Sequence, residues 1–309
     1  MSMIQGYSDT LTKVGVKYIQ DPANFLASKI FPSCPVITLS GTFPTYDKEY
    51  WMKNEAQIRT PGTISEGGQH ARGFDSYKCE NVAYHEDVPD EYSSNDPVVL
   101  NSVRAATRRV TQKIAIYDEV DFCANFFVTG KWGTAESTPD PLWSAADSFP
   151  LEDVDAAKRI IKIATSYMPN KMVMAEAVYD IVKRHPQIKD QIKYTSSANV
   201  TPELLARLFE IESLVIMGAV YDSARFGATA VQQYVAADNV LLLHTTNSPS
   251  LEEPSAGYNF TWNGFGTNGY GARKLYLEEP MATRVEVHSY HQFKQVAADL
   301  GYMLLQPIA

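Results

Sequence analysis

The chain has few of the residues that cross-link a protein or ligate metals. Its three cysteines, Cys34, Cys79 and Cys123, are widely spaced and include no C-x-x-C pair. An odd, scattered set provides neither a disulfide framework nor the ligand spacing of a zinc site, so buried free thiols are expected. No apolar run approaches the eighteen or so residues of a membrane span. The opening MSMIQGYSDTLTKVGVKYIQ lacks the basic-then-apolar layout of a secretory signal, and a cytoplasmic product is the expectation. Positive charge is also in deficit: 27 Lys and Arg against 36 Asp and Glu give a net charge of -9. Such a balance argues against a protein that coats nucleic acid over its whole surface, while leaving room for a local basic patch. There is no internal repeat and no low-complexity tract.

With 309 residues, 45% of them apolar, the chain can bury a sizeable core. Its most strongly patterned stretch is DPVVLNSVRAATRRVTQKIAIYDEVDFCANFF, which predicts one helix from Asp96 to Phe127. Asp96 suits the N-cap and Pro97 the first helical position. Val99, Val103, Ala106, Val110, Ile114, Tyr117, Val120, Ala124 and Phe127 recur at steps of three or four and form one stripe. At about 1.5 Å per residue the rod would be roughly 48 Å long, which suits an elongated molecule. Its charges oppose the helix dipole, with Arg104, Arg108, Arg109 and Lys113 in the first half and Asp118, Glu119 and Asp121 in the second. Either this is a solvated polar face, or partners outside the helix neutralise both blocks.

Around that helix the chain reads in order. Residues 1–36 form a mixed polar arm, an extended connector in which Pro32 and Pro35 forbid helix continuation. Residues 37–90 read as a long two-stranded excursion whose middle, with Pro61, Gly62, Gly67, Gly68 and Gly73, has turn-formers and little to bury. A free-standing ribbon of this kind is marginal unless something covers it. After the long helix, TGKWGTAESTPDPLWSAADSFP is a loop anchored by Trp132 and Trp143. LEDVDAAKRIIKIATSY is a second helix, and MVM a strand followed by a short helix that Pro186 terminates, with His185 favoured as a cation at its end. TPELLARLFEI is a third helix capped by Thr201, and SLVIMGAVYD and NVLLLHTT are strands. The alternation in TRVEVHSYHQFKQ and the closing GYMLLQPIA predict two more strands, paired antiparallel. The fold class is α+β.

No motif carries catalysis, a cofactor or a metal. GFGTNG, Gly264 to Gly269, matches G-x-G-x-x-G by letter, but a strand-like segment follows it where a helix N-terminus would be needed to hold a pyrophosphate. His288 and His291 sit on an alternating strand with no third ligand in register. No histidine lies in a nucleophile motif. The carboxylates at Glu86, Asp87, Asp90 and Glu91, and at Glu252, Glu253, Glu278 and Glu279, read as solvated turns.

An arm, a glycine-tipped ribbon, a spine-length helix, a mixed lobe and a return to strands resemble, in that order, the major capsid protein of tailed bacteriophages, with its Hong Kong 97 shell fold. The most distinctive letters run from Ser166 to Ala224, with Pro-Asn, an apolar strand, a helix ending in His-Pro and the Ile-Lys-Tyr-Thr segment; RVEVHSYHQFKQVAADLGYMLLQPIA resembles the family's closing strand, loop and strand. The resemblance implies an N-terminal arm at 1–36, an extended loop over the adjacent subunit at 37–92, a peripheral domain at 93–150 and 276–309, and an axial domain at 151–275. It implies hexamers and pentamers of this chain in an icosahedral shell around double-stranded DNA, formed in the host cytoplasm, with portal, scaffolding and decoration proteins as partners. Arg59, Glu66, Arg72, Arg104, Arg108 and Arg109 would face other subunits or the DNA. Some members carry a cleaved scaffolding segment, which would have to be a separate protein here or already removed, and some a lysine–asparagine cross-link that no motif places in this chain. An encapsulin-type nanocompartment shell and, from a different class, an α+β enzyme using the Gly264–Gly271 loop are the alternatives.

Overall fold

The arm is anchored, not simply extended. In the computed structural model, which describes residues 20–46, 52–65, 67–68, 72–95, 102–132, 135–193, 200–225, 227–249, 253–264, 266 and 269–308, a 3-10 turn at Pro22–Asn24 leads into the one-turn helix α1 (Ala27–Ile30). Pro32 and Pro35 then hold the chain extended as β1 (Ser33–Val36). The expectation of a connector fails because Ala27, Ile30 and Phe31 are apolar and find a place to bury. Phe31 packs edge-on against Phe122 and Phe126, with ring centroids 5.3 and 5.2 Å away.

Two strands, β2 (Ser40–Tyr46) and β3 (Arg72–Lys78), pair antiparallel from Ser40 opposite Lys78 to Tyr46 opposite Arg72, which makes the expected ribbon. Beyond it, β4 (Glu80–Pro89) leaves the ribbon for the main body, followed by α2 (Asp90–Asn95) and the long α3 (Ser102–Phe126). Asp96 and Pro97, the expected start of the long helix, lie outside the described residues. The 25 described residues of α3 span about 37 Å. Its stripe follows the expected line through Ala106, Val110 and Ile114 and then turns: Tyr117 and Ala124 are exposed, and Glu119, Phe122, Cys123 and Phe126 are buried instead. The phenylalanines set this phase, because Phe122 faces both Phe31 and Phe293.

The first of two five-stranded sheets carries α3 on one face. Its axis is β13 (Ala282–Gln295), paired antiparallel with β4 along one edge. On the other edge β12 (Tyr270–Leu277) pairs with residues 282–289 and β11 (Gly257–Trp262) with residues 291–295, while β1 adds parallel to β11. Val110 and Ile114 pack on Val287, and Ala106 on Val88 and Val285.

The second sheet runs β5 (Glu136–Ser137), β14 (Gly301–Leu304), β10 (Val240–Leu243), β6 (Lys171–Ala175), β7 (Ser213–Met217). Around it lie α4 (Pro150–Thr165), α5 (Glu176–Val182), α6 (Pro186–Ile192) and α7 (Pro202–Leu208), and a separate hairpin joins β8 (Val220–Asp222) to β9 (Gln232–Tyr234). Trp132 and Trp143 are both buried anchors, as expected. The Trp132 indole donates to Phe126 O at 2.8 Å and lies so close to Gly301 that a Cβ there would stand 2.2 Å from the ring. The Thr201 hydroxyl caps α7 by accepting from Leu204 N–H.

Two tail strands expected to pair with each other belong to different sheets. Both edges of β13 are already taken, by β4 on one side and by β11 and β12 on the other, so β14 pairs with β10 in the second sheet. The stretch 276–309 is thereby divided between the two sheets. Pro186 does not simply end a helix either: it opens α6, and His185 is that helix's N-cap. His185 Nδ1 accepts from Gln187 N–H, and Nε2 lies 3.1 Å from Ala145 O. The ring is buried at the start of a helix and not exposed at the end of one.

Candidate assembly surface

The ribbon is rooted at its base and bare toward its tip. At the base Tyr77 stacks on Phe260 with centroids 4.7 Å apart, Phe43 lies 5.5 Å from the same ring, and Lys294 Nζ meets Asp75 at 2.9 Å. Lys78 N–H donates to the Gln292 side chain at 2.8 Å. Farther out every described side chain from 52 to 65 is exposed. Ile58 and Ile64 are 101% and 97% exposed, and Phe74 is 71% exposed. Turn-forming sequence explains the lack of local packing, and it leaves three large apolar side chains exposed on one projection. Arg59 is exposed on this segment. Arg72 opens β3 with its side chain outside the description, and Glu66 lies outside the described residues.

On α3 one residue of each charge block meets a side chain on a neighbouring strand. Arg109 Nε donates to Glu86 Oε2 on β4 at 2.9 Å. Asp118 Oδ1 lies 3.3 Å from His291 Nε2 on β13. Arg104 and Arg108 are exposed. Glu119 departs from the expected polar face altogether: it is 1% exposed, and its Oε1 accepts from the main-chain N–H groups of Leu26 and Ala27. Burial, opposed by those two donors, pushes its carboxyl up to about 7. Sequence reasoning missed this residue, although Glu119 is in helical phase with Phe122 and Phe126 at i+3 and i+7.

Two further carboxylates, Asp87 and Asp90, are also engaged. Asp87 receives two hydrogen bonds from Arg284, at 2.7 and 2.9 Å, which hold its carboxyl below the usual range. Asp90 accepts from the Tyr276 hydroxyl at 2.9 Å. A groove of about 420 Å3 runs between α3 and β13 beside the ribbon's base, lined by residues of both signs that include Glu80, Asp121, Lys131 and His291. His288 and His291 are three apart on β13 and therefore point to opposite faces, so they cannot share a metal. Among the described residues, no group of three or more His, Cys, Asp and Glu could hold a metal ion. The Gly264–Gly269 loop joins β11 to β12 along one edge of β13 and is followed by strand, so it has no helix terminus to receive a phosphate. Cys79 and Cys123 are buried free thiols and Cys34 is half-buried. No helix of the described residues is long and apolar enough to cross a membrane.

Comparison with known proteins agrees with this anatomy. The chain is 24% identical over 275 residues to the major capsid protein of Burkholderia phage BcepMu, covering 85% of this chain and 86% of that protein. The crystal structure of a phage-related protein from Bordetella bronchiseptica superposes with a TM-score of 0.71 at 22% identity, covering 92% of this chain and 93% of the other. An encapsulin complex from Synechococcus elongatus gives a TM-score of 0.52 at 11% identity, covering 94% and 91%. The ribbon, the long helix laid over one sheet and the second sheet with its helices make an α+β fold related to the Hong Kong 97-like capsid fold. The sequence family described as phage major capsid protein E matches residues 124–290, over half of the chain, and the chain belongs to that family.

Proposed function

We propose that this chain is the major head protein of a tailed phage, closing as hexamers and pentamers into an icosahedral shell around double-stranded DNA in the host cytoplasm. The observation that carries this reading is the ribbon: Ile58, Ile64 and Phe74 are bare in the single chain and would be covered by an adjacent copy. The first sheet with α3 serves as the peripheral domain. The second sheet with its helices, β14 included, serves as the axial domain, meeting its copies around the five- and six-fold axes. Arg104 and Arg108, with Arg109 already held by Glu86, face a neighbour's acids or the packaged DNA. Portal, scaffolding and decoration proteins are the further partners. Sedimentation and electron microscopy of the purified full chain test the reading. Closed particles of megadalton mass are expected, and a small oligomer under all assembly conditions would defeat it. The likeness to an encapsulin over 94% of the chain favours a second reading, a protein-loaded compartment. Particles from the native source that contain protein cargo and no DNA would select it.

A further inference from the structure

We propose that Glu119 is a proton-operated latch for the N-terminal arm, docked while its carboxyl is neutral and released as the proton is lost. The latch stands on contacts within one chain and is independent of the shell reading. Glu119 sits on α3 at 1% exposure, and among the described residues the donors it meets are the arm's own: the N–H groups of Leu26 and Ala27, the latter at 2.7 Å, both on Oε1. Its Oε2 is buried with no hydrogen-bond partner among the described residues. A full charge held with half its acceptor sites unmet is strongly disfavoured, and a neutral carboxyl far less so.

The ionisable groups around the latch do not offset that charge. On the same helix Asp118 adds negative charge and Cys123 is a buried thiol. From β13, His291 is engaged with Asp118 at 3.3 Å. On α1 the Lys29 side chain is exposed. From β6, Lys171 Nζ grips the far end of α1, donating to Lys29 O and Ile30 O at 2.9 Å each. The one-turn helix is thus held at its start by the spine helix and at its end by the second sheet. Release at Glu119 would loosen the start of α1 from α3, while Lys171 keeps its far end on the second sheet and Phe31 and β1 hold the chain beyond it.

The sign follows from linkage. With the arm lifted, Glu119 meets water and titrates near the ordinary 4.5; docked, burial raises it to about 7. The docked form therefore keeps a proton that the lifted form gives up. Docking is at full strength below 4.5, weakens as pH rises, and is weakest above about 7.

Hydrogen exchange of the full chain tests this, read on a peptide covering residues 20–32 and corrected for the intrinsic pH dependence of exchange. Opening at the Leu26 and Ala27 amides should increase roughly seventy-fold between pH 5 and pH 8. Glu119→Gln keeps a side-chain oxygen for the two donors and cannot ionise, so its arm should stay closed with a flat profile. A Gln variant that opens with the same slope as the wild type overturns the latch. Should that variant not fold, the wild-type profile decides alone: one that is flat, or that closes with rising pH, overturns it as well.

Discussion

The two sheets of this chain bury their strands to different depths. In the second, β10 and β14 are buried at every residue and β6 at all but its first, because their runs are wholly apolar and helices of the same chain close over them. In the first, β4 and β12 are mostly exposed, α3 covers one face, and the ribbon's described side-chain contacts with the body gather at its base. The inner strands of the second lobe are covered by their own chain, while the first lobe leaves more of its strand surface open. The contrast separates what holds the chain folded from what it presents to its surroundings.

Three variants would break or sharpen that contrast, read as the stability of the unassembled chain in denaturant titrations. Trp143 is fully buried in the second lobe and donates to Asp153 at 2.7 Å. Trp143→Ala should cost about 3–5 kcal/mol, and a loss under about 1 kcal/mol would show that this lobe is not the self-sufficient one. Arg109→Ala removes a half-exposed ion pair that joins α3 to β4 in the first lobe. It should cost only about 0.5 kcal/mol, and a loss several times larger would mean that the first lobe depends on its own charge pairs. Replacing Ile58 and Ile64 together by serine should change stability by less than about 0.5 kcal/mol while abolishing particles in sedimentation. Normal particles from that double variant would remove the ribbon from the list of contacts between copies.

Elements with a local cause were legible in sequence. The strands at 171–175, 213–217 and 240–243, the capped helix at Pro202–Leu208 and the two tryptophan anchors follow from apolar runs, caps and large side chains read one segment at a time. What was not legible depends on which segments meet. The turn of the α3 stripe is set by Phe31 arriving from the arm, and Glu119 is buried because two main-chain N–H groups arrive with it. The separation of β13 from β14 reflects the occupied edges of β13, a matter of pairing across the whole chain. His185 was misread because a proline after a helix can equally begin the next one. The ribbon was legible in outline for a simple reason: glycine and proline without apolar alternation rule out a local core.

The backbone passes between the two sheets more than once. After α3 it crosses to β5, between 243 and 257 it returns to β11, and between 295 and 301 it crosses again to β14. A pull on either lobe is therefore divided among several parallel tethers, as along a seam sewn more than once. The lengths of those crossings therefore set an upper limit on how far the two sheets can be drawn apart without unfolding either.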